Sequence, residues 1–266
     1  MKLQTTVAIE KTDFKIRPTD KILFVGSCFA AEMGNRFSNN CFDVIVNPYG
    51  TMYNPASILH TIERLQPNVD LAVLTLGTNH VYLLNETGEI VDNCQKRPAK
   101  LFTEKKLSVD ECREYLDNTI NILKGINEHC NVILTVSPIR YQKYGFHESQ
   151  VSKATLLLAV DKICAQYSSM VHYFPAYEIM CDELRDYRFY KPDMLHPSEQ
   201  AVDYIFESFC KASFDDDTFS FMEEWQPIRK ALSHKPSDPD SEEYQQFWQQ
   251  TKEQETSFRK KWRLSD

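Results

Sequence analysis

Glycine is scarce in this chain, with seven in 266 residues, and no unbroken apolar stretch reaches the roughly 18 residues that a membrane span needs. The N-terminus, MKLQTTVAIEKTDFK, lacks the apolar core of a secretory leader because Glu10, Lys11 and Asp13 interrupt it, so the cytoplasm is the default expectation. Eight cysteines occur, none in a Cys-x-x-Cys pair. Their scatter (Cys28, Cys41, Cys94, Cys112, Cys130, Cys164, Cys181, Cys210) argues against a zinc knuckle and against a secreted disulfide framework. They read as reduced packing residues. Positive charge is short as well: a net charge of −8 offers no overall attraction to phosphate backbones or anionic lipid, which sets nucleic acid and membrane aside as partners.

What is present describes a soluble globular protein, with 42% hydrophobic and 26% charged residues. The length suits one α/β domain, residues 1–213, with a C-terminal helical extension, 214–266.

The chain is organised around Lys21 to Ala30, KILFVGSCFA. Ile22 to Val25 run into Gly26, Ser27 and Cys28, the pattern of a buried strand that breaks at a glycine. Phe29, Ala30, Met33 and Phe37 then recur at helical spacing, so a helix begins just after Ser27. Ser27 therefore lies where free N–H groups and the helix dipole favour an oxyanion. A plain helix cap is the competing reading of that serine, and Cys28 is a competing nucleophile.

Further strands read at Phe42–Asn47, Leu71–Leu76, Asn131–Val136 and near Val171–Phe174. Helices read from Pro55, from a Ser108/Glu111 capping box, and from about Gln150 to Gln166. Residues 82–107 read as an excursion of loop and short strands. Apolar strands alternating with helices predict a five-stranded parallel sheet covered on both faces, with ligands at the carboxyl ends of its strands. Those ends carry Ser27, Gly50, Asn79 and Arg140, and three of the few glycines, Gly26, Gly50 and Gly77, stand at the same turns. Near the end of the α/β region, Tyr190 to Ser198 (YKPDMLHPS) holds Asp193 and His196 three residues apart, with Pro197 expected at the first position of the next helix.

The order of these blocks resembles the SGNH, or GDSL-like, hydrolase superfamily: a strand-end serine, a strand-end glycine, a Gly-x-Asn and a late Asp-x-x-His. Gly26 to Ala30 is similar to the string that names the GSCFA family. So are NPYGTMYNP at 47–55, TVSPIRY at 135–141, QVSKATLL at 150–157 and YFPAYEIMCDELRDYRFYKPDMLHPS at 173–198. The resemblance implies a flavodoxin-like three-layer α/β/α fold without a cofactor or metal. The chain departs from the GDSL-like pattern in having Gly26 before the serine and His80 after Asn79, where acidic residues are usual.

Carried over by this resemblance, Ser27 attacks an acyl carbonyl, His196 moves the proton, and Asp193 orients the imidazole. The N–H groups of Ser27 and Gly50 and the Asn79 amide meet the oxyanion. Water as acceptor makes an esterase of a carbohydrate or other small-molecule ester, and an alcohol makes an acyltransferase. A catalytically silent module that binds acylated sugars or peptides is the alternative, and a metal held by Asn79, His80, Asp193 and His196 is a weaker one. Arg140 is a candidate for a substrate carboxylate or phosphate, His80 for the pocket wall, and Asn93 and Cys94 for a supporting layer. In the C-terminal extension, Phe247, Thr251, Phe258 and Trp262 share one helical face. That face is expected to dock on the main domain, with homo-oligomer contact or a lid over the site as the other readings.

Overall fold

The computed structural model describes residues 5–264 except 67, 93, 95, 96, 237 and 239. The first half-unit runs β1 (Lys21–Gly26), α1 (Cys28–Asn39), β2 (Asp43–Val46), α2 (Pro55–Glu63) and β3 (Leu71–Leu76). An excursion then forms β4 (His80–Leu84), β5 (Ile90–Val91) and β6 (Phe102–Lys106), which pair antiparallel in the order β5-β4-β6. The main sheet resumes through α3 (Val109–Ile126), β7 (Asn131–Val136), α4 (Gly145–Gln166) and β8 (Val171–Tyr173). After it come a short α5 (Ala176–Glu178) that continues as a π-helical turn, then α6 (Glu199–Ser213), α7 (Asp216–Leu232) and α8 (Glu242–Trp262).

The five parallel strands lie in the order β2-β1-β3-β7-β8. Counted among themselves this is 2-1-3-4-5, the flavodoxin-like order, and the chain reverses direction across the sheet between β1 and β3. The register sets Gly26 beside Thr75 and Leu76 beside Val136, so β1, β3 and β7 end at one edge. Alternation along β1 sends Ile22 and Phe24 into one core and Leu23 and Val25 into the other. The first core is closed by α1, α6, α7 and α8 through Phe29, Phe209, Phe221 and Phe258; the second is closed by α2, α3 and α4 through Ile58, Leu116 and Leu156. Burial on both faces is what a parallel sheet requires.

The helix starts follow local chemistry. Ser27 caps α1, Asn54 caps α2 with Pro55 just inside, and the Ser108/Glu111 capping box forms at α3. Two boundaries differ from expectation. α4 begins at Gly145, whose positive φ of 79° turns the chain into the helix five residues before Gln150. α6 begins at Glu199 because Ser198 caps it, while Pro197 pairs with Tyr190 in an isolated bridge instead of opening the helix.

The two last helices dock on the end of α1. The Trp225 indole N–H donates to the Asn39 carbonyl at 2.9 Å, and Phe258 packs its ring 5.0 Å from Phe221 and 5.1 Å from Trp225. Thr251 and Phe258 of the expected face are buried, whereas Phe247 is exposed and its ring meets those of His234 and Tyr244. Among the described residues no helix is long and apolar enough to cross a membrane.

Candidate active site

Ser27 follows the last residue of β1 and sits at the β1/β3 reversal, where open α/β sheets bind ligands. Gly26 makes the break possible. Its φ is +143°, and a Cβ there would lie 2.1 Å from the Thr75 carbonyl oxygen, so the acidic residue usual in the GDSL-like pattern cannot be accommodated. The Gly26 N–H turns outward to Asn47 Oδ1 at 2.9 Å, tying the turn to the segment after β2.

The Ser27 side chain is fully buried. Its Oγ accepts the Phe29 N–H at 3.3 Å, which is the helix cap, and donates to Ser137 Oγ at 2.9 Å rather than to an imidazole. Cys28, half-buried beside it, has its Sγ 3.7 Å from the Tyr53 hydroxyl. Burial, with that thiol nearby, pushes the Tyr53 phenol up to about 12.

Asp193 and His196 form a dyad. Asp193 Oδ2 is 2.6 Å from His196 Nδ1, and Asp193 Oδ1 accepts the N–H groups of Leu195 and His196 at 2.8 and 3.0 Å. Those two backbone donors, and then the imidazole, hold the carboxyl down to about 2. Nδ1 is thereby committed, which leaves Nε2 for a reacting group. The dyad loop is fastened to the same sheet edge: the Arg140 N–H donates to the Leu195 carbonyl at 3.0 Å, and Lys191 reaches Glu32 on α1 at 2.9 Å.

The donors expected at the oxyanion have other acceptors here. The Ser27 N–H extends the sheet ladder to the Thr75 carbonyl at 3.1 Å, and the Gly50 N–H closes an exposed turn onto the Asn47 carbonyl at 2.9 Å. Asn79 Nδ2 donates to the Leu107 carbonyl at 2.7 Å, while its Oδ1 is buried and unpaired among the described residues. His80, also buried, is 2.7 Å from Glu104 through Nδ1 and stacks on Tyr144 at 3.8 Å, a packing arrangement. Arg140 lies 4.1 Å from the centroid of the Phe146 ring and 5.5 Å from that of Tyr190, and donates to the Met194 carbonyl at 3.1 Å. Among the described residues no carboxylate pairs with it. Cys94 is half-buried, and Asn93 lies outside the described residues. His80 is committed to Glu104 and His196 to Asp193, and among the described residues no three His, Cys, Asp or Glu side chains are placed to hold a metal ion.

Two residues of this edge were not anticipated. Ser137 directly follows β7, and its Oγ accepts the hydrogen bond from the Ser27 hydroxyl. Lys153 is buried on α4 and bridges β3 and β7 by donating to the carbonyls of Gly77 at 2.8 Å and Ser137 at 2.7 Å. Burial pulls its ammonium down to about 7. A signal existed, since Lys153 interrupts the buried face made by Ser149, Ser152, Leu156, Ala159 and Ile163.

A sequence profile described as the GSCFA family matches residues 21–70 and 63–209, and one described as the GSCFA domain protein C-terminal domain matches residues 225–266. No curated protein matches the chain. A solved Lactobacillus plantarum protein shares the fold at 12% identity and a TM-score of 0.51, covering 75% of this chain and 100% of its own. A family 3 carbohydrate esterase of Clostridium thermocellum is similar at 15% identity and a TM-score of 0.43, covering 81% and 100%. One from Talaromyces cellulolyticus is similar at 11% and 0.43, covering 77% and 99%.

Proposed function

Because the chain belongs to the GSCFA family, whose serine here stands at the reversal point of the sheet, we propose that it is a serine-dependent acyl-ester hydrolase or acyltransferase with Ser27 as nucleophile. The observation that carries the reading is the 2.6 Å Asp193–His196 dyad, held by two backbone hydrogen bonds at the edge where β1 delivers Ser27. To react, the Ser27 hydroxyl turns from Ser137 to His196 Nε2. The alkoxide pair then adds to the acyl carbon, His196 takes the proton, and the proton goes to the leaving alcohol as the tetrahedral intermediate collapses. Asp193, ionised far below neutrality, stabilises the imidazolium.

The substrate class proposed is an O-acyl ester of a carbohydrate or another small alcohol. Exposed rings stand beside the dyad: Phe146, on which Arg140 lies, and Tyr187, which neighbours Tyr190 at 6.3 Å. Such faces suit a sugar ring, and the Arg140 guanidinium, which no carboxylate pairs with among the described residues, suits an anionic substituent.

The binding-module alternative draws on one observation, that the Ser27 hydroxyl and the expected oxyanion donors all have internal partners. Intact mass after treatment with a fluorophosphonate separates the two. The expected result is one adduct on the wild type and on Cys28→Ala, absent from Ser27→Ala and His196→Ala. A folded wild type that takes no adduct would leave the binding module standing.

A further inference from the structure

An oxyanion forming on an ester carbonyl needs donors that are free when it arrives; the Ser27 and Gly50 N–H groups are bonded elsewhere, and the Asn79 amide spends one of its two N–H groups on the Leu107 carbonyl. Asn47 Nδ2, just after β2, is buried and unpaired among the described residues, and a second side-chain donor at this edge shares that condition. The Tyr141 hydroxyl is buried with no hydrogen-bond partner among the described residues, an arrangement that costs free energy and calls for an explanation.

Its position is set from several sides. The Tyr141 N–H is held by Ser149 Oγ at 3.2 Å, and Lys153 Nζ lies 5.3 Å from the ring centroid while it fixes the ends of β3 and β7. The ring meets that of Tyr53 edge-on at 6.1 Å, and the Tyr53 hydroxyl touches Cys28, the residue after Ser27. The phenol oxygen occupies the place a side chain at 77 would take, because a Cβ on Gly77 would fall 2.5 Å from it. Gly77 leads directly into Thr78 and Asn79. The phenol therefore lies in the crevice between the end of β3 and the start of α1, with its proton unassigned.

We propose that the Tyr141 hydroxyl is an oxyanion donor for the acyl transfer on Ser27, an inference that rests on the hydrolase reading above. As Ser27 Oγ bonds to the acyl carbon, the carbonyl π pair moves onto oxygen. Tyr141 donates its O–H to that oxygen without giving up the proton, and the pair returns when the leaving alcohol departs with the proton from His196. Burial holds the phenol well above its usual titration range, so it stays a donor throughout.

The test compares full-length wild type and Tyr141→Phe with 4-nitrophenyl acetate as substrate and phenylboronic acid as a tetrahedral mimic. The expected result is a kcat about 100- to 1000-fold lower, the loss typical of one such donor. KM should be nearly unchanged, boronate affinity weaker, and Tm equal or higher, since the hydroxyl removed has no partner. Equal kcat in the two proteins overturns the proposal. So does a variant that unfolds, because the hydroxyl would then be paired in the resting protein. A wild type that neither turns over ester nor takes a fluorophosphonate at Ser27 removes the hydrolase reading and this one together; an active wild type matched by Tyr141→Phe removes this one alone.

Discussion

Ser27 serves two ends at once in this structure, capping a helix and standing where a nucleophile would stand. Its Oγ is held by Phe29 and Ser137, so the resting hydroxyl is parked. Replacing Ser137 by Ala removes the acceptor of its proton without touching Asp193 or His196. A net hydrogen bond is worth about 0.5–1.5 kcal/mol, so the rate of fluorophosphonate labelling should rise about 2- to 10-fold in Ser137→Ala. Time-resolved intact mass checks this, and a slower rate would mean that Ser137 assists the reaction. Lys153 makes a second prediction at this scale. Its ammonium titrates near 7 when folded and near 10.5 when unfolded, so between those values the unfolded chain holds the extra proton. Stability should therefore rise with pH through that window, by at most about 1.4 kcal/mol per unit from this group, and stay flat below it. The neutral amine still has one N–H for each of its two carbonyls. Raised cysteine and tyrosine values act the other way over the same range in both proteins, so the slope attributable to Lys153 should appear in urea melts as the difference between wild type and Lys153→Met at successive pH values.

The elements were legible where one physical signal dominated. β1, β3 and β7 are apolar runs stopped by Gly26, Gly77 and the Ser137–Pro138 pair, and the structure keeps those ends. The Ser108/Glu111 box marked α3 to the residue. Where two signals competed, the weaker-looking one prevailed: Ser198 is an available cap, so Pro197 was free to join the bridge with Tyr190. For the antiparallel β5-β4-β6 sheet the sequence yields no more than an excursion of loop and short strands, because β5 and β6 are largely unburied and strand periodicity is faint without a buried face. At the proposed site, motif order names Ser27, Asp193 and His196 as candidates. Ser137 and Tyr141 could not be named, because what marks them is a partner, or the lack of one, supplied by distant strands, whereas Lys153 carries a signal of its own as a charge within the buried face of α4.

Across the whole molecule, the C-terminal helices belong to the first core. Phe258 packs with Phe221 and Trp225 above the end of α1, so the extension is bonded to the same helix that Ser27 starts. Phe258→Ala should cost about 3–5 kcal/mol, the usual loss for a large buried ring. Denaturant unfolding checks it, and a loss of less than about 1 kcal/mol would mean that the two helices add little to the core. The placement of tryptophan gives this contact an optical consequence. All three indoles of the chain, Trp225, Trp248 and Trp262, lie in α7 and α8. Light absorbed at the red edge of the protein spectrum is thus emitted by the appendage alone, while far-ultraviolet dichroism reports chiefly on the larger α/β body. One unlabelled sample watched by both signals reveals whether the two parts come apart together or in turn.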